Sequence, residues 1–313
     1  MATSVSIIGG GAWGLALAAA AARAGTKTAL CSRRPANARI EGIEIVKEIE
    51  VAARRARLVV LAVPSGVSAE VARELGDHTS GESYVVHGVR GLYGDTLKTI
   101  SDVVRDETPV RRVGAVGGPT LADDLLHGRP AVIVCGSRFP EVTEAFSAAF
   151  GSPTLRVYPT LDLRGLEWGS ALVGALTIAV GYAQGLGMGP GLVAAFISRS
   201  ITEASRIAAA AGGQESTLLG LAGYGDLLAS TSQDDRPEVV LGRALAKGAS
   251  LADALALAKL RVEALELAPL VVAFAEKHKV RAPIFHAIAQ GILTGKGAAS
   301  ILGDLMSAPI EAV

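Results

Sequence analysis

Val5-Ser6-Ile7-Ile8-Gly9-Gly10-Gly11-Ala12-Trp13-Gly14, followed by the Ala- and Leu-rich run that continues to Ala24, decides the fold. Residues 5–10 form a β-branched run of the kind that lies buried in a parallel sheet. The run from Ala12 to Ala24 reads as a helix, and Gly25 supplies its C-terminal cap. Between strand and helix stands G-x-G-x-x-G, with Gly9, Gly11 and Gly14 in the fixed places. The first glycine permits a tight turn. The second lets backbone approach a pyrophosphate. The third lets the helix pack close to the strand, and the helix N-terminus offers free N–H groups and a positive dipole end to the anion. In a chain with 37 glycines the bare pattern says little. Placed directly between a strand and a helix, it predicts a dinucleotide site built on Gly9, Gly11, Ala12, Trp13 and Gly14. The plain alternative is a strand-to-helix turn that holds nothing.

Outward from this stretch, strands and helices alternate. TKTALCS (26–32) reads as a second strand, followed by a polar stretch rich in Arg and Glu. ARLVVLAVPS (56–65) is a third strand, ending at Pro64-Ser65, and SAEVARELG (68–76) is an amphipathic helix. SYVVHGV (83–89) is a strand, 94–105 fits a helix, and RRVGAVGG (111–118) and RPAVIVCGS (129–137) are strands. PEVTEAFSAAFG (140–151) is a helix and PTLRVYP (153–159) a last strand. Repeated βα units of this kind predict an α/β domain over residues 1–160, a doubly wound and mostly parallel sheet covered on both faces. From Leu161 the strand signals stop. Residues 161–313 are predicted to form an all-α domain, divided by glycine-rich loops at 185–191, 212–213 and 220–225.

Composition narrows the function. Lys+Arg and Asp+Glu number 30 each, so no general electrostatic pull toward nucleic acid or anionic lipid is expected. Two Trp, five Tyr and six Phe are too few to line long stacking platforms for single strands. Cys31 and Cys135 lie in apolar runs and read as buried free thiols. The five histidines show no metal-ligand spacing, and no metal site is expected. The N-terminus reads as an immediate first strand, which suggests a cytoplasmic chain. Residues 168–198 carry no charge, long enough for a bilayer, but contain seven glycines and Pro190. A helix buried on all sides of a globular domain is the expected outcome, with no membrane insertion. Association with a membrane through this segment is the least favoured reading.

Cofactor choice turns on the end of the second strand. A site for NAD places Asp or Glu there to bond the ribose 2′-OH. Here the residues are Cys31-Ser32-Arg33-Arg34-Pro35. Two guanidiniums suit a 2′-phosphate, so NADP is slightly favoured over NAD. The alternative for Arg33 and Arg34 is a solvated basic loop.

Several further blocks carry a resemblance. They are G-x-G-x-W-G (9–14), VLAVPS (60–65), GVRGL (88–92), GGPTLADDL (117–125), ISRSITE (197–203), LAGYGDLL (221–228), RVEA (261–264) and APIFHAI (282–288). Together they resemble the bacterial NAD(P)-dependent glycerol-3-phosphate dehydrogenases over essentially the whole chain. The resemblance implies a Rossmann domain followed by a helical substrate domain. It implies hydride transfer between NAD(P)H and dihydroxyacetone phosphate or glycerol 3-phosphate, and a role in phospholipid biosynthesis. Apart from the resemblance, the very apolar segments LADALALAKL (251–260) and LELAPLVVAFA (265–275) offer more apolar surface than one small bundle buries, so a homodimer through the helical half is expected. The resemblance assigns Arg90, Gly118, Thr120 and Asp226 to the phosphorylated substrate. It adds Pro64, Arg90, Ala122 and Glu263 to the cofactor contacts. For Asp226 a helix N-cap is the alternative role. The family's G-G-A-V-K-N, which holds its catalytic Lys-Asn pair, corresponds here to residues 169–174, GSALVG. Val173 and Gly174 take the two polar places, so no residue is assigned as catalytic. The family's T-K-G is Val89-Arg90-Gly91, its N-x-R is Gly191-Leu192-Val193, and its S-R-N is Arg236-Pro237-Glu238. Two expectations therefore stand together: an oxidoreductase of this type, or a cofactor-binding pseudoenzyme or dehydrogenase with a changed substrate.

Overall fold

A computed structural model of the chain describes residues 3–33, 41–259 and 264–294. It divides into two compact units, Met1–Glu167 and Trp168–Val313.

The first unit is built on an eight-stranded sheet. Its strands are β1 (Ser4–Ile8), β2 (Lys27–Cys31), β3 (Ile43–Val46), β4 (Leu58–Leu61), β5 (Tyr84–His87), β6 (Arg112–Gly117), β7 (Ala131–Ser137) and β8 (Leu155–Thr160). Their order in space is β3-β2-β1-β4-β5-β6-β7-β8. All neighbours from β3 to β6 pair in parallel, β6 meets β7 antiparallel, and β7 and β8 are parallel. The helices of this unit are α1 (Ala12–Arg23), α2 (Ile49–Arg55), α3 (Ser68–Gly76), α4 (Ile100–Glu107), α5 (Ala122–His127) and α6 (Pro140–Phe150).

The strands alternate between two cores, as a period of two requires. Ile7, Leu30, Val60 and Val86 face Leu17 of α1 and Phe146 and Phe150 of α6. Ile8, Leu61 and Val85 face Ala72 and Leu75 of α3 and Val104 of α4. Each such side chain, fully buried, contributes roughly 1.5–3 kcal/mol before the entropy of ordering is set against it. Phe146 and Phe150, one turn apart, stack at 4.2 Å.

Some elements differ from the sequence reading. The polar stretch after β2 contains both β3 and α2. β3 is the sheet edge and leaves Glu44 and Ile45 exposed, while α2 buries only Ile49 and Ala52. Elements that bury so little leave a weak pattern. The helix expected from residue 94 begins only at Ile100. Before it, Tyr93 and Lys98 exchange backbone bonds of 2.8 and 3.2 Å. Leu97 there takes a left-handed φ of 54°. Thr99 then caps α4 by accepting the Asp102 N–H at 3.3 Å. α5 was also outside the sequence reading.

The second unit is helical. α7 (Leu163–Gly185) starts in the first unit and continues into the second, followed by α8 (Pro190–Ala210), α9 (Glu215–Leu219), α10 (Asp226–Thr231), α11 (Pro237–Ala246), α12 (Leu251–Ala258), α13 (Ala264–Lys277) and α14 (Pro283–Thr294). The loop expected at 220–225 is instead a single π-helical turn, Leu221–Gly225, leading straight into α10. α7 is long and apolar enough to cross a membrane, yet 89% of its most apolar window is buried inside the protein. Glycines on α7 and α11 let the two helices approach closely. A Cβ at Gly181 would stand 2.7 Å from the Val239 carbonyl oxygen, and one at Gly242 would stand 2.1 Å from that of Ile178. α7 and α11 thus pack backbone against backbone.

Candidate functional site

The chain leaves β1, builds β2 and β3 on one side, then crosses back to β4 on the other. Such a switch in direction opens a crevice at the carboxyl ends of the strands. Gly9 stands there with φ 120°. It donates its N–H to Cys31 O at 3.0 Å, and Ala62 N donates to Ile8 O at 2.8 Å. A Cβ at Gly9 would lie 2.2 Å from Ala62 O, and one at Gly14 would lie 1.8 Å from Gly9 O. Backbone packing therefore fixes both as glycine. Gly11 differs, for a Cβ there would meet no atom within 4 Å. Gly11 is the N-cap of α1, with no side-chain cap and no acidic residue in the first turn. The first amides of the helix carry no intrahelical partner, so this open backbone suits the pyrophosphate of a dinucleotide.

Two more glycines belong to this cradle, neither singled out in the sequence. A Cβ at Gly10 would stand 2.0 Å from Ser32 Oγ. One at Gly88, just past β5, would stand 2.3 Å from Trp13 Nε1. Trp13 thus lies across Gly88, joining the glycine turn to the next strand but one. Such approaches between distant segments have no local sequence signal beyond the glycine itself.

The remaining residues of the first unit follow the strand ends. Arg33 is exposed just after β2, and Pro64 is exposed after β4, where it caps a short 3₁₀ turn, Ser65–Val67. Arg90 is half-buried three residues past the end of β5. Gly118, with φ 96°, follows β6. Thr120 donates its hydroxyl to Val132 O at 2.5 Å and its N–H to Gly118 O at 2.7 Å. Its proton is therefore committed to holding this turn. Ala122 is the first residue of α5. Because β2, β1, β4, β5 and β6 are adjacent and parallel, these residues share one edge of the sheet.

Asp226 belongs to the second unit. It is the first residue of α10, 3% exposed, and accepts Ser230 Oγ–H at 3.2 Å through Oδ1. The N-cap of that helix is Gly225, so Asp226 is not the cap. Val173 on α7 is 0% exposed, and a Cβ at Gly174 would stand 3.3 Å from the Ala264 Cβ. Arg34 and Glu263 lie outside the described residues. Of the thiols, Cys31 is pushed up to about 11 by burial first, then by Glu74 and Glu48, against an opposing Arg33. It stays protonated at neutral pH and is no nucleophile. Burial likewise raises Cys135.

Both units match models of one family. The model of the NAD-dependent glycerol-3-phosphate dehydrogenase N-terminus matches residues 35–143, and that of its C-terminus matches residues 162–302. The chain belongs to this family. It is 32% identical to the glycerol-3-phosphate dehydrogenase (NAD(P)+) of Moorella thermoacetica, covering 99% of this chain and 97% of that protein. It is 33% identical to that of Bradyrhizobium diazoefficiens, covering 91% of each. The solved glycerol-3-phosphate dehydrogenase of Coxiella burnetii has the same fold, with TM-score 0.89 at 24% identity over 98% of this chain and 99% of that one. That of Plasmodium falciparum also scores 0.89, at 15% identity over 99% and 97%. The N-terminal glycerol-3-phosphate dehydrogenase model begins past the glycine cradle. The full-length M. thermoacetica relative extends the match over nearly the whole chain.

Proposed function

We propose that this chain transfers hydride between NAD(P)H and a small phosphorylated ketone or its alcohol, the dihydroxyacetone phosphate and glycerol 3-phosphate pair. The observation that carries the reading is the open, uncapped start of α1 at Gly11, at the sheet's switch in direction, within a chain whose two units both match this family. The bound nicotinamide supplies the hydride. The protein must then stabilise the alkoxide that develops on the ketone oxygen. Arg90 is the cation offered by the strand end, and it supplies charge to the oxyanion or the phosphate. Its guanidinium holds its protons too tightly to donate one, so the proton comes from solvent. Gly118 and Thr120 are the further proposed substrate contacts of the first unit, and Asp226 is the one proposed in the second.

Of the two cofactors, the reading favours NADPH. Arg33 is exposed at the end of β2, where Cys31-Ser32-Arg33 carries no acid to bond a ribose 2′-OH. The absent lysine sets the rate. Losing one oxyanion stabiliser costs about 10²–10³-fold and losing a general acid about 10²–10⁴-fold. Turnover below that of ordinary enzymes follows. A second reading, cofactor binding without turnover, is favoured by one observation: Val173, which the resemblance puts in the lysine's place, is fully buried. A titration with NADPH followed by a turnover assay with dihydroxyacetone phosphate separates the two.

The chain is further proposed to act as a cytoplasmic homodimer. In the second unit Leu219, Leu221, Tyr224 and Leu228 are all exposed, Leu219 to 50%, within ten residues. Apolar surface gathered in this way marks an association face.

A further inference from the structure

His87 ends β5 and is 2% exposed, and Glu167, on the first turns of α7, is 4% exposed. His87 Nε2 lies 2.9 Å from Glu167 Oε1. A carboxylate only accepts, so Nε2 donates. The same Oε1 accepts the backbone N–H of Ser101 at 2.8 Å. Ser101 is the second residue of α4, so the carboxylate also meets the positive end of that helix. The Ser101 hydroxyl lies 3.4 Å from Nε2. Three elements, β5, α4 and α7, thus meet at one buried carboxylate. A buried pair of this kind persists only with good geometry, and removing one member strands the other.

The pair sits where the chain leaves the sheet toward Arg90. His87 lies two residues after Val85, so its side chain is on the α3 and α4 face of the sheet. Gly88, the next residue, presents the opposite face, and there Trp13 covers it. Gly88 N also donates to Leu61 O at 2.8 Å, which extends the ladder to β4. The strand end is therefore gripped on both faces, by Glu167 through His87 and by Trp13 on Gly88. Val89 after it is buried, and Gly91 turns the chain with φ 107°. Arg90 stands between these two fixed points.

We propose that His87, Glu167 and Ser101 are positioning residues for Arg90. Their hydrogen bonds fix the direction in which residues 88–92 leave the sheet, and so the place of the guanidinium against a phosphorylated substrate. This rests on the role given to Arg90 above. No proton or electron moves through the triad.

The test is calorimetric binding of glycerol 3-phosphate to the NADPH-saturated protein, a pair of reduced ligands that does not react. Arg90→Ala and His87→Ala are each expected to weaken that binding by about tenfold or more, the size of one lost charge-assisted hydrogen bond. NADPH affinity is expected to fall less than glycerol 3-phosphate affinity in His87→Ala, since the cradle at Gly11 is untouched and Arg90 is one of several proposed cofactor contacts. His87→Gln keeps an N–H for Glu167 and is expected to recover most of the loss. The double variant His87→Ala/Arg90→Ala should bind no worse than Arg90→Ala alone, because one residue acts through the other. Additive losses, or wild-type binding in His87→Ala, overturn the proposal. If Arg90→Ala binds glycerol 3-phosphate normally, the role of Arg90 falls. Amide exchange at residues 88–92 then decides the tie alone: faster exchange in His87→Ala supports it, and unchanged exchange overturns it. If His87→Ala does not fold, Glu167→Gln takes its place in the cycle, with a smaller loss expected, because it keeps the accepting oxygen but removes the charge.

Discussion

Gly11 and Gly14 stand in one hexapeptide and should fail in different ways. A Cβ at residue 14 collides with the Gly9 carbonyl oxygen at 1.8 Å, whereas one at residue 11 meets open space. Gly14→Ala is expected to lower stability by about 1–3 kcal/mol or more, as overpacking does. Gly11→Ala is expected to cost no more than about 1 kcal/mol, the size of an N-cap change, while NADPH binding falls by at least about tenfold. Thermal unfolding and calorimetry on the two variants check this, and equal loss of stability in both would count against the open cradle. Arg33 supplies a second expectation at this scale. NADPH should bind tighter than NADH, and Arg33→Ala should reduce NADPH binding more than NADH binding. Equal affinities for the two cofactors would remove the preference. The places of Gly9, Gly11 and Gly14 were legible in the sequence because their spacing is fixed by a local turn. Gly10 against Ser32 and Gly88 against Trp13 were not, since those contacts join segments far apart in the chain.

α8 and α14 are joined by one buried acid. Glu203 on α8 accepts the N–H of Ile284 at 3.1 Å and that of Phe285 at 2.8 Å, at the start of α14. Burial pushes its carboxyl up to about 7, against those two N–H bonds and the charges of Arg206 and Arg199. The folded chain thus holds this proton more tightly than the unfolded chain, whose carboxyl has the ordinary value of 4.5. Its contribution to stability is full below about 4.5 and is lost as pH rises through about 7. Glu203→Gln has no such proton to lose. Its thermal midpoint should fall less between pH 5 and pH 8 than that of the unaltered chain; an identical fall in both would contradict this role. Among elements, α3 was legible to the residue because its apolar positions keep a helical period over nine residues. β3, α2 and α5 were missed because each is seven residues or fewer and buries at most two side chains. The π turn at Leu221–Gly225 hides behind glycines that read as a loop.

For the whole molecule, the alternation of strand and helix, and then its end, foretold a parallel sheet followed by helices. The reversal of β7 against β6 was not legible, since strand direction depends on how the short connection through α5 folds back. The exposed leucines of the second unit lead to an expectation for assembly. Light scattering at micromolar concentration should give the mass of two chains, and a monomer's mass would refute the homodimer. The candidate site was legible where glycines and strand ends define it, and less so where chemistry depends on a single side chain. Val173 illustrates the point. A valine in a buried helix is ordinary to any reading of periodicity, yet under the proposed function it leaves the developing alkoxide without a lysine. The proposed hydride transfer to a phosphorylated ketone, at a reduced rate, is tested by following NADPH oxidation in the presence of dihydroxyacetone phosphate. Substrate-dependent oxidation with turnover below about 1 s⁻¹, under the ordinary enzyme range, is expected. No oxidation above background with either NADPH or NADH would contradict it.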